Sequence, residues 1–166
     1  LEDKSISRVS KVNGLSDVGL TDIAFSEKHR VLLIGYENGN LDIYDNGEVR
    51  NYPDIRLSGN YSGLKRINHI HIKDDIAYIA TNFGILAYSI PDELILDTYI
   101  IGPDGSILAV EQTASSDDTL YAATELGLYK AALADAKFFF QNWYQDAQIT
   151  SSINHLTYFN DSVFVN

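Results

Sequence analysis

The sequence predicts an all-β fold, a β-propeller of four-stranded antiparallel blades that is incomplete, with about three and a half blades in the chain. Three observations carry this. Glycines Gly39, Gly84 and Gly127 close three similar stretches and stand 45 and 43 residues apart, within the blade-repeat range. The stretches are short runs rich in Ile, Val, Tyr and Thr, cut by Gly and Asp pairs, which leaves no room for helical turns. The pair Asn68-His69 recurs as Asn154-His155, 86 residues on, or two periods of 43.

Taken in order, Lys4 to Ser10 reads as the strand closing a preceding blade. A first blade spans residues 20–52, with strands in Leu20–Phe25 and within Val31–Tyr44. A linker from Pro53 to Lys65 exceeds the tight-turn minimum, and long loops of this kind are often functional. The second blade, residues 67–100, gives the clearest copy: Ile67–Ile72, Ile76–Thr81, Ile85–Ile90 and Leu94–Ile100. Asp74-Asp75 suits its first hairpin, because Asp bonds local backbone and tolerates turn geometry. Gly84 at the second hairpin supplies positive φ. The third blade, residues 107–143, repeats this with Ile107–Val110, Asp117-Asp118, Thr119–Thr124 and Gly127-Leu128. Ala131–Lys137 reads as a turn, and Phe138-Phe139-Phe140 with Trp143 and Tyr144 as the outer strand. Residues 153–166 open a further blade at Ile153-Asn154-His155-Leu156.

Apolar residues on both sides of strands, as in Tyr78-Ile79-Ala80, fit blades covered on each face by neighbours. Gly35, Ala80 and Ala123 are small where sheets approach closely, and Tyr44, Tyr88 and Tyr129 fill the wider outer gap. A closed ring needs roughly four to eight blades. The two end faces are therefore expected to stay open, so that the chain self-associates or needs the rest of a propeller to cover them.

Composition narrows the function. The 166 residues are 45% hydrophobic and 21% charged, an ordinary folded balance. Net charge is −11, which argues against duplex-phosphate binding and a nucleic-acid partner. Cysteine is absent, excluding disulfides, thiolate zinc sites and a cysteine nucleophile. No apolar run approaches the ~20 residues that span a bilayer, so membrane insertion of this segment is not expected. The N-terminus has no secretory pattern, and the chain ends within a strand-like stretch at Val165-Asn166, as expected of a piece of a larger protein.

The repeats resemble the two-component regulator propeller repeat. The resemblance rests on Ile67, Ile70, Asp74-Asp75, Tyr78, Ala80, Thr81 and Gly84-Ile85, and on Asp118, Tyr121, Ala123, Thr124 and Gly127-Leu128. The sequence departs from that pattern by Tyr for Trp, by Ala for Gly before Thr, and by Tyr36 for Thr in the first copy. A more specific resemblance covers most of the chain. Lys11 to Gly19, Val31 to Ile34 with Asn38-Gly39-Asn40, Asp54 to Ser58, Gly63 to Asn68, Tyr78 to Gly84 and Asp97 to Gly102 are similar to the N-terminal propeller family of PorZ. That resemblance implies an extracytoplasmic, secreted or surface protein of Bacteroidetes that works without catalysis in the sortase complex of type IX secretion. It implies protein partners in that complex and contact with anionic lipopolysaccharide, without assigning ligand residues.

Several residues stand as candidates for ligand contact. Asn68, His69, Asn154 and His155 sit on the strand expected nearest the axis, where they can face the channel; the plainer reading has them bond adjacent inner strands or water. His69 and His71 share a strand face but lack a third ligand, so no metal and no cofactor is expected. Trp143 and Tyr61 are candidates for stacking on a sugar or docking a partner. Asn60-Tyr61-Ser62 and Asn160-Asp161-Ser162 match the glycosylation pattern, which is uninformative in a bacterial chain. The carboxylates cluster in turns, where capping and solubility explain them; no calcium loop of the Asp-x-Asp-x-Asp-Gly kind occurs. The Asn-Gly pairs at 13, 38 and 46 read as turns and not phosphate loops. Two further functions remain open on the residues: a periplasmic oligosaccharide-sensing domain of a hybrid two-component regulator, and a glycosidase or lyase, which needs two converging carboxylates.

Overall fold

Alternation of apolar residues with Asp, Asn and Gly turns produces fourteen strands, placed by a computed structural model that describes residues 8–12, 14–59, 61 and 63–166. Blade 1 comprises β1 (Leu20–Ser26), β2 (Val31–Tyr36), β3 (Leu41–Asp45) and β4 (Glu48–Tyr52). A single helical turn, α1 (Asp54–Leu57), follows. Blade 2 comprises β5 (Ile67–Lys73), β6 (Ile76–Thr81), β7 (Gly84–Ser89) and β8 (Leu94–Tyr99). Blade 3 comprises β9 (Val110–Ser115), β10 (Thr119–Thr124), β11 (Gly127–Ala132) and β12 (Tyr144–Gln145), and blade 4 has β13 (Leu156–Phe159) and β14 (Ser162–Val165). Each blade is an antiparallel meander in chain order, and the described residues form an open arc. The first strands of successive blades lie beside one another, β1 by β5, β5 by β9 and β9 by β13, so these four line the axis.

Turn chemistry fixes the hairpins. Asn46, Asp74, Asn160 and Asp161 all have positive φ, between 47° and 57°, a region that Asn and Asp tolerate because their side chains bond locally. At Gly84 the constraint is double: φ is +137°, and a Cβ would run into the Tyr99 carbonyl. Gly127 repeats it against the Ile149 carbonyl. The repeated glycine thus turns the hairpin and lets the chain arriving from the outer edge press against it.

The core lies between blades. Leu33, Leu41 and Ile43 of blade 1 pack on Ile67, Ile79 and Tyr88 of blade 2. On its other face blade 2 sets Tyr78, Ala80 and Ala87 against Val110, Leu120 and Ala122 of blade 3. Ala123 and Leu128 then meet Ile153 and Leu156 of blade 4. Burial on both faces explains why these strands read as nearly continuous apolar runs. The end faces stay open: Ile23 is 54% and Phe25 49% exposed on blade 1, Phe159 70% and Phe164 56% on blade 4.

Four expectations need correction. The strand expected over residues 4–10 lies mostly outside the described residues, and residues 8–10 are not strand. The Pro53–Lys65 linker contains α1, anchored by the buried Ile55. Blade 3 begins at Val110 rather than Ile107, and its outer strand is not Phe138–Phe140 but the two residues Tyr144–Gln145. A 3-10 turn at Phe140–Asn142 replaces the expected strand. Its cause is Trp143, which drops into the core on Tyr99 at 6.2 Å between ring centroids and donates its indole N–H to the Lys137 carbonyl at 2.9 Å.

Candidate functional site

The axis is built by one rule repeated three times. Each of the first three inner strands carries a one-residue bulge, at Thr21 in β1, Asn68 in β5 and Glu111 in β9. A bulge re-aims the following side chain, and here that side chain reaches the next blade. Asp22 accepts the Ile70 N–H at 2.7 Å, His69 Nδ1 accepts the Thr113 N–H at 3.3 Å, and Gln112 Oε1 accepts the Leu156 N–H at 2.7 Å. The three acceptors pair with Gly35, Ala80 and Ala123, the three small positions, so they are register equivalents. The fourth copy places Asn154 and His155 at the same two positions. Both backbone N–H groups bond the Asn166 carbonyl, and both residues are exposed.

Asn68 and His69 therefore hold the blade 2 to blade 3 seam. Asn68 donates to the Asn82 side chain at 3.0 Å and to the Val110 carbonyl at 2.8 Å. Further along β5, His71 Nε2 lies 2.8 Å from Ser115 Oγ, and Lys73 donates to the Ser116 carbonyl at 2.6 Å. Burial lowers the pKa of both histidines, the Asp22 carboxylate partly opposing it at His69. His71 is pushed down to about 4 by burial, and then by its neighbours His69 and Lys73. The two imidazoles border an axial cavity of about 250 Å³ shared with Ser115, Thr157 and Tyr158.

Tyr61 lies elsewhere, on the outer rim. Its ring stacks on Phe83, with centroids 4.1 Å apart and planes 12° from parallel. The pair borders a cleft of about 480 Å³ between the linker and blade 2, with Tyr52, Ile95, Asp54 and Thr98 also on its wall. That volume falls in the small-ligand range, and its wall mixes polar and apolar surface. Among the described residues Asp54 is the one carboxylate on its wall. Asn60 and Ser62 lie outside the described residues.

Trp143 is corrected from contact residue to core residue, being 6% exposed with its N–H satisfied. Its neighbours Phe138, Phe139 and Tyr144 are the exposed rings, each at least half exposed. Sequence reasoning missed Asp22 and Gln112, because the acceptor position varies in residue type. It also missed Asp42, a fully buried carboxylate on β3 that accepts from Ser16 N–H, Tyr36 Oη and Asn51 Nδ2 at 2.7 to 2.9 Å. Burial and that carboxylate raise the pKa of the Tyr36 hydroxyl. Among the described residues no group of three or more His, Asp or Glu side chains is placed to hold a metal ion, and no helix is long and apolar enough to cross a membrane.

Blades joined through their inner strands, with small residues at each close approach, define a β-propeller scaffold. Among solved structures, PorZ, described as an essential surface component of the type IX secretion system of Porphyromonas gingivalis, is 25% identical with a TM-score of 0.76 over 95% of this chain. The extracellular domain of a one-component system from B. thetaiotaomicron is 19% identical, TM-score 0.65, over 92% of this chain and 20% of that one. A computationally designed protein is 14% identical, TM-score 0.62, over 88% of this chain and 42% of that one. The last two likenesses show the fold alone. No curated protein matches. The sequence matches the family described as the type IX secretion PorZ N-terminal β-propeller domain over residues 1–144, and the chain belongs to that family. It spans about a fifth (21%) of the PorZ chain.

Proposed function

We propose that this chain is a non-catalytic binding module of an extracytoplasmic, surface-associated protein of type IX secretion, engaging partners of the sortase complex and anionic lipopolysaccharide. The observation that carries the reading is the family match over residues 1–144, joined to a fold that superposes on PorZ over 95% of the chain. The Tyr61 cleft and the rim rings Phe138, Phe139 and Tyr144 are the surfaces assigned to contact. Net charge of −11 opposes the anionic groups of such a ligand, so contact falls on its sugar rings, where aromatic faces supply apolar area and Asp54 accepts hydroxyl protons. The test is deletion of residues 1–144 from the gene in its host. Cargo is then expected to lose its attached lipopolysaccharide; normal attachment refutes the reading.

A further inference from the structure

The three inner-strand seams share a geometry but not a chemistry. Gln112 has no proton to gain, whereas His69 accepts the Thr113 N–H through Nδ1. An imidazole can accept there only while Nδ1 is bare, which places its proton on Nε2 and makes the ring neutral. Adding a proton at Nδ1 sets two N–H donors against each other at 3.3 Å.

We propose that the seam between blades 2 and 3 is an acid-sensitive latch, released when His69 is protonated at Nδ1 and the Thr113 amide loses its acceptor. The surroundings favour release over accommodation. From β1 the Asp22 carboxylate faces His69 and favours its charged form, less than burial disfavours it, while one of its oxygens accepts the Ile70 N–H. On β5 itself, His71, held down to about 4, stays neutral while His69 titrates, and Lys73 lies 4.0 Å from Asp117 on the far hairpin. Across the seam β9 offers Thr113 and Ser115, neither ionisable, and its one carboxylate, Glu111, is exposed at the bulge. The remaining titratable neighbours are phenols: Tyr78 of β6, stacked on His71 with centroids 6.5 Å apart, and Tyr158 of β13 on the cavity wall. Burial of both imidazoles disfavours their charged forms, so a proton that enters does so by opening the seam. Release frees the Thr113 amide beside the axial cavity, while the Asn68 bond to Val110, the His71 contact with Ser115, the Lys73 bond to Ser116 and the Gln112 bond to blade 4 persist.

Three equivalent amides, Ile70, Thr113 and Leu156, provide the test, because each is held by the acceptor at the same repeat position. Amide hydrogen exchange by NMR, corrected for intrinsic rates, is measured between pH 6.5 and 5. Protection at Thr113 is expected to fall about tenfold more than at Leu156, the change that one pH unit below a titration produces. His69→Asn, whose Oδ1 stands where Nδ1 did, is expected to abolish the difference. Equal pH dependence at Thr113 and Leu156, or an undiminished difference in His69→Asn, overturns the latch. Should the variant not fold, the wild-type comparison of amides decides alone.

Discussion

Replacing Gly35 by Ala probes how closely blades approach at the axis. The φ of Gly35 is not positive, so the substitution carries no left-handed strain. The added Cβ would instead sit 2.6 Å from Ile67 Cγ2, closer than real Cβ contacts come, and 3.1 Å from Ile67 Cβ. Ile67 is fully buried and cannot swing clear. Overpacking of this kind costs about 1–3 kcal/mol, offset by ~0.4–1 kcal/mol from the stiffer unfolded chain. The net is a loss of up to about 2.5 kcal/mol. Ile67→Ala alone costs about 2–5 kcal/mol through its cavity. In the double variant the new methyl enters that cavity, so the two losses fall short of additivity by about 1 kcal/mol or more. Urea titration of the four proteins at one pH measures the cycle. A stable Gly35→Ala protein, or additivity within ~0.5 kcal/mol, refutes the packing argument.

Other expectations follow from the same geometry. Gly47 and Gly127 have similar φ, +94° and +112°, but a Cβ at Gly47 meets nothing within 4 Å while one at Gly127 meets the Ile149 carbonyl. Gly47→Ala should thus cost about 1–2 kcal/mol of conformational strain and Gly127→Ala at least twice that by thermal or urea unfolding; equal losses contradict the close approach. His71, ordinarily near 6.5 and held at about 4 in the fold, takes up its proton first in the unfolded chain. Its contribution is therefore intact above pH 6.5 and lost as pH falls toward 4, by about 3 kcal/mol; His71→Gln should flatten this part of the stability profile, and an unchanged profile counts against it. Binding to anionic lipopolysaccharide should strengthen as salt rises from 0.05 to about 0.5 M, because screening weakens like-charge repulsion; weakening would point to a basic contact surface instead.

Much of the fold was legible because the repeat is written in residues with narrow conformational roles. Gly39, Gly84 and Gly127 marked the second hairpins, and Asp74 marked a turn of positive φ. Strand ends were less legible where tertiary packing overrides local pattern. Phe138-Phe139-Phe140 has strand composition, yet the pull of Trp143 into the core on Tyr99 leaves only Tyr144–Gln145 to pair with β11. The axial bonding was half legible. The recurrence of Asn-His located Asn68 and His69, but an acceptor position filled in turn by Asp22, His69 and Gln112 has no residue signature until register aligns them. The cleft beside Tyr61 was foreshadowed by linker length, while its floor at Phe83 comes from a different blade and becomes visible only in three dimensions.

The proposed function is binding without turnover, and equilibrium titration of the purified chain with purified anionic lipopolysaccharide tests it most directly. Saturable binding that leaves the glycan chemically unchanged and weakens at least about tenfold in Tyr61→Ala, as loss of a stacking ring entails, is the predicted result. No saturable binding, or a glycan cleaved during the titration, would contradict it.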